Sequence, residues 1–169
     1  MGKIIEARFE EIIPGEIGLI PSILEAVILN ERAGEVLLPP PVRQSERVPG
    51  KKVNLDGRHR LLYRKMQGYD RVPVYLADLK YDSMSFKDFR KSPRDYVKEN
   101  NGFIFRRWEE ADKAAGKLTV SGYDHYFAQL VKKYPFLSSV DEFLDFTKSH
   151  PDITDNYFSA PNLKIKLMK

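Results

Sequence analysis

The chain has no cysteine. That removes disulfides, thiolate metal sites and cysteine nucleophiles at once, and it points to a reducing, cytoplasmic setting. No run of about 18 apolar residues occurs, so no segment reads as a membrane span. The opening residues Lys3-Ile4-Ile5-Glu6-Ala7-Arg8 are too broken by charge for an export signal. No internal repeat and no low-complexity tract is present. Histidine is scarce: His125 and His150 fall on expected helices with no ligand-type residue three or four positions on, so both read as structural and not as metal ligands. Excess charge of one sign is also small. Lys and Arg number 28 against 24 Asp and Glu, a net +4, which permits nucleic acid without demanding it.

What remains is 169 residues, 42% hydrophobic, enough for one core or one core with a smaller appended part. Ile4, Ile5, Phe9, Ile12 and Ile13 among charges predict one opening strand over Lys3–Ile13, closed by a Pro14-Gly15 turn with Glu16 just beyond it. Pro21-Ser22 starts a helix, with Ile23, Leu24, Val27 and Ile28 at helical spacing and Gly34 as its stop. Leu37-Leu38-Pro39-Pro40-Pro41-Val42-Arg43 predicts an extended segment and, because of its prolines, an edge strand. Lys52–Leu55 predicts a strand, Arg58–Gly68 a short helix ended by Gly68, and Val72–Ala77 another strand.

Beyond Lys80 the texture turns aromatic, basic and mostly helical, with helices expected at Arg107–Ala115, Asp124–Tyr134 and Val140–Ser149, the last capped by Ser138 or Ser139. Ala160–Leu167 alternates apolar and basic residues as a short strand or a tail would. Lys87, Arg90, Lys91 and Arg94 form a basic run, which is a solvated face by default and a polyanion contact otherwise. Trp108, beside Phe103, Phe105, Arg106 and Arg107, is either core or a base-stacking platform. The expected organisation is a core over residues 1–80 and a mostly helical extension over 81–169 packed upon it.

Chemistry concentrates at Leu55-Asp56-Gly57-Arg58-His59-Arg60, a strand end, an Asp-Gly turn and a helix start. A helix N-terminus attracts anions, and three basic side chains beside it are unfavourable unless an anion neutralises them. Gly57, Arg58, His59 and Arg60 are therefore the candidate phosphate cradle. Taken alone, Asp56-Gly57 is also an ordinary turn dipeptide, and a glutamate after a turn is ordinary surface.

With Leu61–Gly68 and Val72-Pro73-Val74 following, this stretch resembles the ParB/sulfiredoxin-like superfamily over residues 4–80. The resemblance implies an α+β fold, a mixed sheet with short helices. Sulfiredoxin activity requires a cysteine in this turn and is excluded. The chromosome-partition branch carries Gly-Glu-Arg-Arg, where this chain has Arg58-His59. The nearest likeness is to the ADP-dependent free serine kinase branch, with Pro14-Gly15-Glu16 in the place of Pro-His-Glu and Asp56–Arg60 in the place of Asp-Gly-His-His-Arg. It implies Glu16 as general base on an acceptor hydroxyl, Asp56 as a second catalytic carboxylate facing Mg²⁺, and Gly57, Arg58, His59 and Arg60 as nucleotide-phosphate ligands. The implied activity is a nucleotide-dependent phosphotransferase using ADP, ATP or CTP with Mg²⁺ on a small hydroxyl-bearing substrate such as a free amino acid. The alternative is a nucleotide- or DNA-binding module of the partition, nuclease or phage and plasmid type, without phosphoryl transfer. Gly15 and Arg58 stand where that branch has histidines, which leaves the acceptor and the donor open.

Overall fold

Alternating apolar residues over Lys3–Ile13 predict one strand, and the chain makes two of it. The structure, a computed structural model, describes residues 3–14, 18–54, 57–77 and 122–159. Strand β1 runs Lys3–Arg8, Phe9–Glu11 form a single 3₁₀ turn, and β2 runs Ile12–Pro14. The break is held by Glu11, whose carboxylate accepts the Arg8 amide, and by the Phe9 amide, which donates to the Asp70 carbonyl at 3.0 Å. β1 and β2 thereby reach opposite edges of one five-stranded mixed sheet of order β1-β5-β3-β4-β2.

The remaining elements are α1 (Pro21–Arg32), β3 (Pro41–Gln44), β4 (Lys52–Asn54), α2 (Arg58–Met66), β5 (Arg71–Leu76), α3 (Tyr123–Lys133) and α4 (Val140–Ser149). Pro21 occupies the first turn of α1, where its missing N–H is harmless. Gly68 sits just past α2 at φ 87°, and the Gly68 and Tyr69 amides return to the Lys65 and Arg64 carbonyls, the paired closure typical of a helix end at glycine.

The expectation of an edge strand at Leu37–Arg43 is corrected: β3 lies in the middle, parallel to β5 and antiparallel to β4. The prolines allow this by position. Pro39 and Pro40 precede the strand and Pro41 is its first residue, where the absent donor breaks little of the ladder. The Tyr75 and Ala77 amides bond instead to the Pro40 and Val42 carbonyls.

On one sheet face Ile5, Ala7, Ile12, Val42, Val72 and Val74 join a cluster with Leu24 and Ile28 of α1, Leu61 and Leu62 of α2, and Tyr123, Tyr126, Leu130 and Phe143 of the C-terminal helices. One core thus spans the sheet and residues 122–159. The fold is α+β, a mixed sheet with short helices and a helical C-terminal part. No helix among the described residues is long and apolar enough to cross a membrane. The expected helix at 107–115, the basic run from Lys87 to Arg94, Trp108 and the stretch 160–167 lie outside the described residues.

Of the two serines offered as the cap of α4, Ser139 is the one that caps: its hydroxyl accepts the Glu142 amide at 3.1 Å. Ser139→Ala is expected to cost about 1 kcal/mol and to lower the melting temperature by roughly 2–4 °C. Ser138→Ala, which removes only an exposed contact to the Glu142 carboxylate, should shift it less. Equal effects in thermal melts would contradict the cap assignment.

Candidate functional site

Two neighbouring parallel strands decide where the site is. β2 and β4 run side by side in parallel, with Ile12 opposite Lys52 and Pro14 opposite Asn54. Their C-terminal ends therefore leave the sheet at the same edge, the side on which open sheets with parallel strands collect ligands. In sequence, Glu16 lies two residues beyond Pro14 and Asp56 two residues beyond Asn54. Both carboxylates fall outside the described residues, so the structure assigns them no contact.

Gly57 follows, in the left-handed region at φ 76° and ψ 27°. A Cβ there would stand 2.6 Å from Arg60 Nη2 and 2.9 Å from Cβ of Pro40, so glycine is required both by conformation and by space. The next three residues, the opening turn of α2, each hold a different piece of backbone. Arg58 Nε donates to the Gly18 carbonyl at 3.2 Å. His59 Nε2 accepts the Ile20 amide at 3.0 Å. Arg60 Nη1 donates to the Leu38 carbonyl at 2.7 Å, tethering the stretch before the prolines.

These contacts change the electrostatics expected of the turn. His59 is only 8% exposed, and burial, helped by the adjacent Arg58 charge, lowers its pKa from 6.5 to about 4. It is neutral at pH 7, with its proton on Nδ1 so that Nε2 can accept. The expectation of a three-cation cradle is therefore corrected to two arginines with a neutral imidazole between them. Arg58 and Arg60 each bond to a carbonyl, which engages an N–H without removing positive charge.

The C-terminal helices supply residues that the sequence reading passed over. Gly18 (φ 90°) is held from both sides: its carbonyl by Arg58, and its amide by the Tyr126 hydroxyl at 3.2 Å. A Cβ on Gly18 would collide with the Tyr157 hydroxyl and stand 2.8 Å from the Phe158 carbonyl. Leu19 and Phe158 exchange backbone hydrogen bonds of 3.0 and 2.7 Å, and the Ser22 amide donates to the Thr154 carbonyl at 2.7 Å. Tyr123, one helical turn before Tyr126, packs between Phe9 and Tyr126 with ring centroids 5.4 and 5.1 Å away. Burial holds its hydroxyl well above the ordinary tyrosine range, with Tyr126 adding and Arg58 opposing. The Tyr126 hydroxyl is pushed up to about 12 by burial, against the Gly18 amide and Arg58. The one local sign of this pair was the i, i+3 spacing of two tyrosines, which places both on one helix face.

No group of three or more His, Cys, Asp or Glu able to hold a metal occurs among the described residues. A helix start flanked by two arginines suits phosphate, whereas the expectation of Mg²⁺ rests on Asp56. A cleft of about 360 Å³ lies elsewhere, lined by Arg8, Glu10, Asp70, Arg71 and Asp124 near the C-terminal end of α2, and none of the described candidate residues, Gly57 to Arg60, is in that lining. No protein-family model, curated protein or solved structure matches the chain.

Protonating His59 destroys the acceptor of the Ile20 amide. Its folded pKa lies below the unfolded value of 6.5, so its contribution is complete above pH 6.5 and is lost as pH falls toward 4. The loss amounts to up to about 3 kcal/mol. His59→Gln keeps an acceptor that does not titrate. In urea unfolding at about pH 7.5 and about pH 4.5, the wild type is expected to lose more stability than this variant. Equal losses would contradict the assignment.

Proposed function

We propose that the chain is a nucleotide-dependent phosphotransferase of the ParB/sulfiredoxin-like type, working in the cytoplasm on a small hydroxyl-bearing substrate. The observation that carries this reading is the register of β2 against β4. Residues Glu16 and Asp56 follow equivalent positions of two paired parallel strands, and Arg58 and His59 clamp the segment after the first onto the helix after the second. In sequence the two acidic candidates follow these strand ends, a cationic helix start follows the second, and phosphoryl transfer asks for little more: charge neutralisation, alignment and a base.

In this reading Gly57, Arg58 and Arg60 take the phosphates of ADP, ATP or CTP. His59 serves by holding the Ile20 amide and not as a cation. Glu16 accepts the proton of the acceptor hydroxyl, and Asp56 faces Mg²⁺, which when bound offsets phosphate charge. The free amino acid named by the resemblance belongs to the acceptor class that this chemistry serves.

The test is calorimetry with ADP, ATP and CTP in the presence of Mg²⁺. Saturable binding to the wild type is expected, weakened by about ten-fold or more in Arg58→Gln. Glu16→Gln should keep its affinity within about two-fold while losing turnover on a panel of hydroxyl acceptors. Absence of binding to all three nucleotides would overturn the reading. Binding to duplex DNA that falls steeply with salt would replace it with the nucleic-acid module.

A further inference from the structure

Tyr126 stands on α3, 2% exposed, and its hydroxyl accepts the amide of Gly18, 108 positions away, at 3.2 Å. Phenylalanine would place the same ring against Tyr123, so packing alone does not account for the oxygen. Gly18 is itself buried. Without the hydroxyl its amide would be a buried donor lacking this acceptor, which costs enough to move the backbone that carries it. Such a movement reaches α2. The Gly18 carbonyl is the acceptor of Arg58 Nε at 3.2 Å, and amide and carbonyl flank one α-carbon, so turning the first away from Tyr126 turns the second away from Arg58. The other side of Gly18 is closed. A Cβ there would collide with the Tyr157 hydroxyl and stand 2.8 Å from the Phe158 carbonyl, and Leu19 is fixed by its two hydrogen bonds to Phe158. Arginine is long and rotamer-rich, and its donors lie in one rigid plane. Fixing the acceptor of Nε therefore fixes where the rest of the guanidinium stands.

We propose that Tyr126 is a positioning residue for phosphate: by holding the Gly18 backbone it fixes the acceptor that orients the Arg58 guanidinium, and so sets anion affinity from the C-terminal helices. That Arg58 meets a phosphate rests on the function proposed above. The orienting of Arg58 rests on the two hydrogen bonds alone.

The experiment is a double-mutant cycle on affinity for Mg·ADP and, separately, for inorganic phosphate, using wild type, Tyr126→Phe, Arg58→Gln and the double variant. The NMR signal of the Arg58 Nε–H is followed beside it. Tyr126→Phe is expected to weaken binding of both probes about five-fold when Arg58 is present and by less than about two-fold when it is Gln, and to lose the Nε–H signal to rapid exchange with water. General loosening of the fold would weaken both backgrounds alike, so equal losses overturn the proposal. An unchanged affinity in Tyr126→Phe overturns it too, and so does a retained Nε–H signal, whatever the probes do. A wild type that binds phosphate but not Mg·ADP sinks the nucleotide reading, and the cycle on phosphate still decides this proposal. A wild type that binds neither sinks the function proposed above and the anion affinity with it, while loss of the Nε–H signal in Tyr126→Phe leaves the orienting of Arg58 standing. Should Tyr126→Phe fail to fold, Arg58→Gln replaces it, because coupling is reciprocal. Faster hydrogen exchange at the Gly18 amide in that variant, with β4 unchanged, supports the link, and unchanged exchange overturns it.

Discussion

A neutral imidazole accepting a backbone amide joins the start of one helix to the start of another, and most of the site's geometry follows from that bond. The beginning of a helix leaves amides without partners. In α1 each is handled differently: Pro21 has none, Ser22 donates to the Thr154 carbonyl, and Ile20 donates to His59. Only the uncharged ring can accept, and burial enforces that state. Arg58 then takes the Gly18 carbonyl and Tyr126 takes its amide. Three consecutive residues of backbone are in this way pinned between α2 and the C-terminal helices.

The sheet sets the place at which this pinning happens. Because β2 and β4 are parallel neighbours, their following segments emerge together, and because β3 stands in the centre, the proline stretch before it passes the helix start closely enough for Arg60 to hold Leu38. The close approach of Pro40 is what forbids a side chain at Gly57. In the proposed function phosphate affinity and local order fall to the same side chains: Arg58 and Arg60 are tethers as well as the positive charge. That double duty explains why a basic helix start, unfavourable by its dipole alone, is tolerated here.

Features with a local cause could be read from the sequence. Pro21 and Gly34 bracket α1, Gly68 closes α2, and Ser139 caps α4, because capping chemistry acts within a few residues. The break at Phe9–Glu11 could not be read, since a three-residue turn with a buried Phe9 leaves the apolar alternation nearly undisturbed. β3 was misplaced at an edge because composition reports the number of prolines and not their offset from the ladder. Within the site, Gly57 and the helix start at Arg58 were legible as a motif. The neutrality of His59 was not, since it depends on burial under residues distant in the chain. The pairing of Tyr126 with Gly18 spans 108 positions, and no local pattern reports such a contact.

The central claim is that the segment after β2 is held rigidly against the first turn of α2. Residue-resolved amide hydrogen exchange of the wild type tests it most directly, read at Gly18 and Ile20. Both amides should exchange as slowly as those of the core strands, because each is bonded to a buried side chain. Exchange at the rate of an exposed loop, with β4 and α2 still protected, would show that the clamp does not exist in solution.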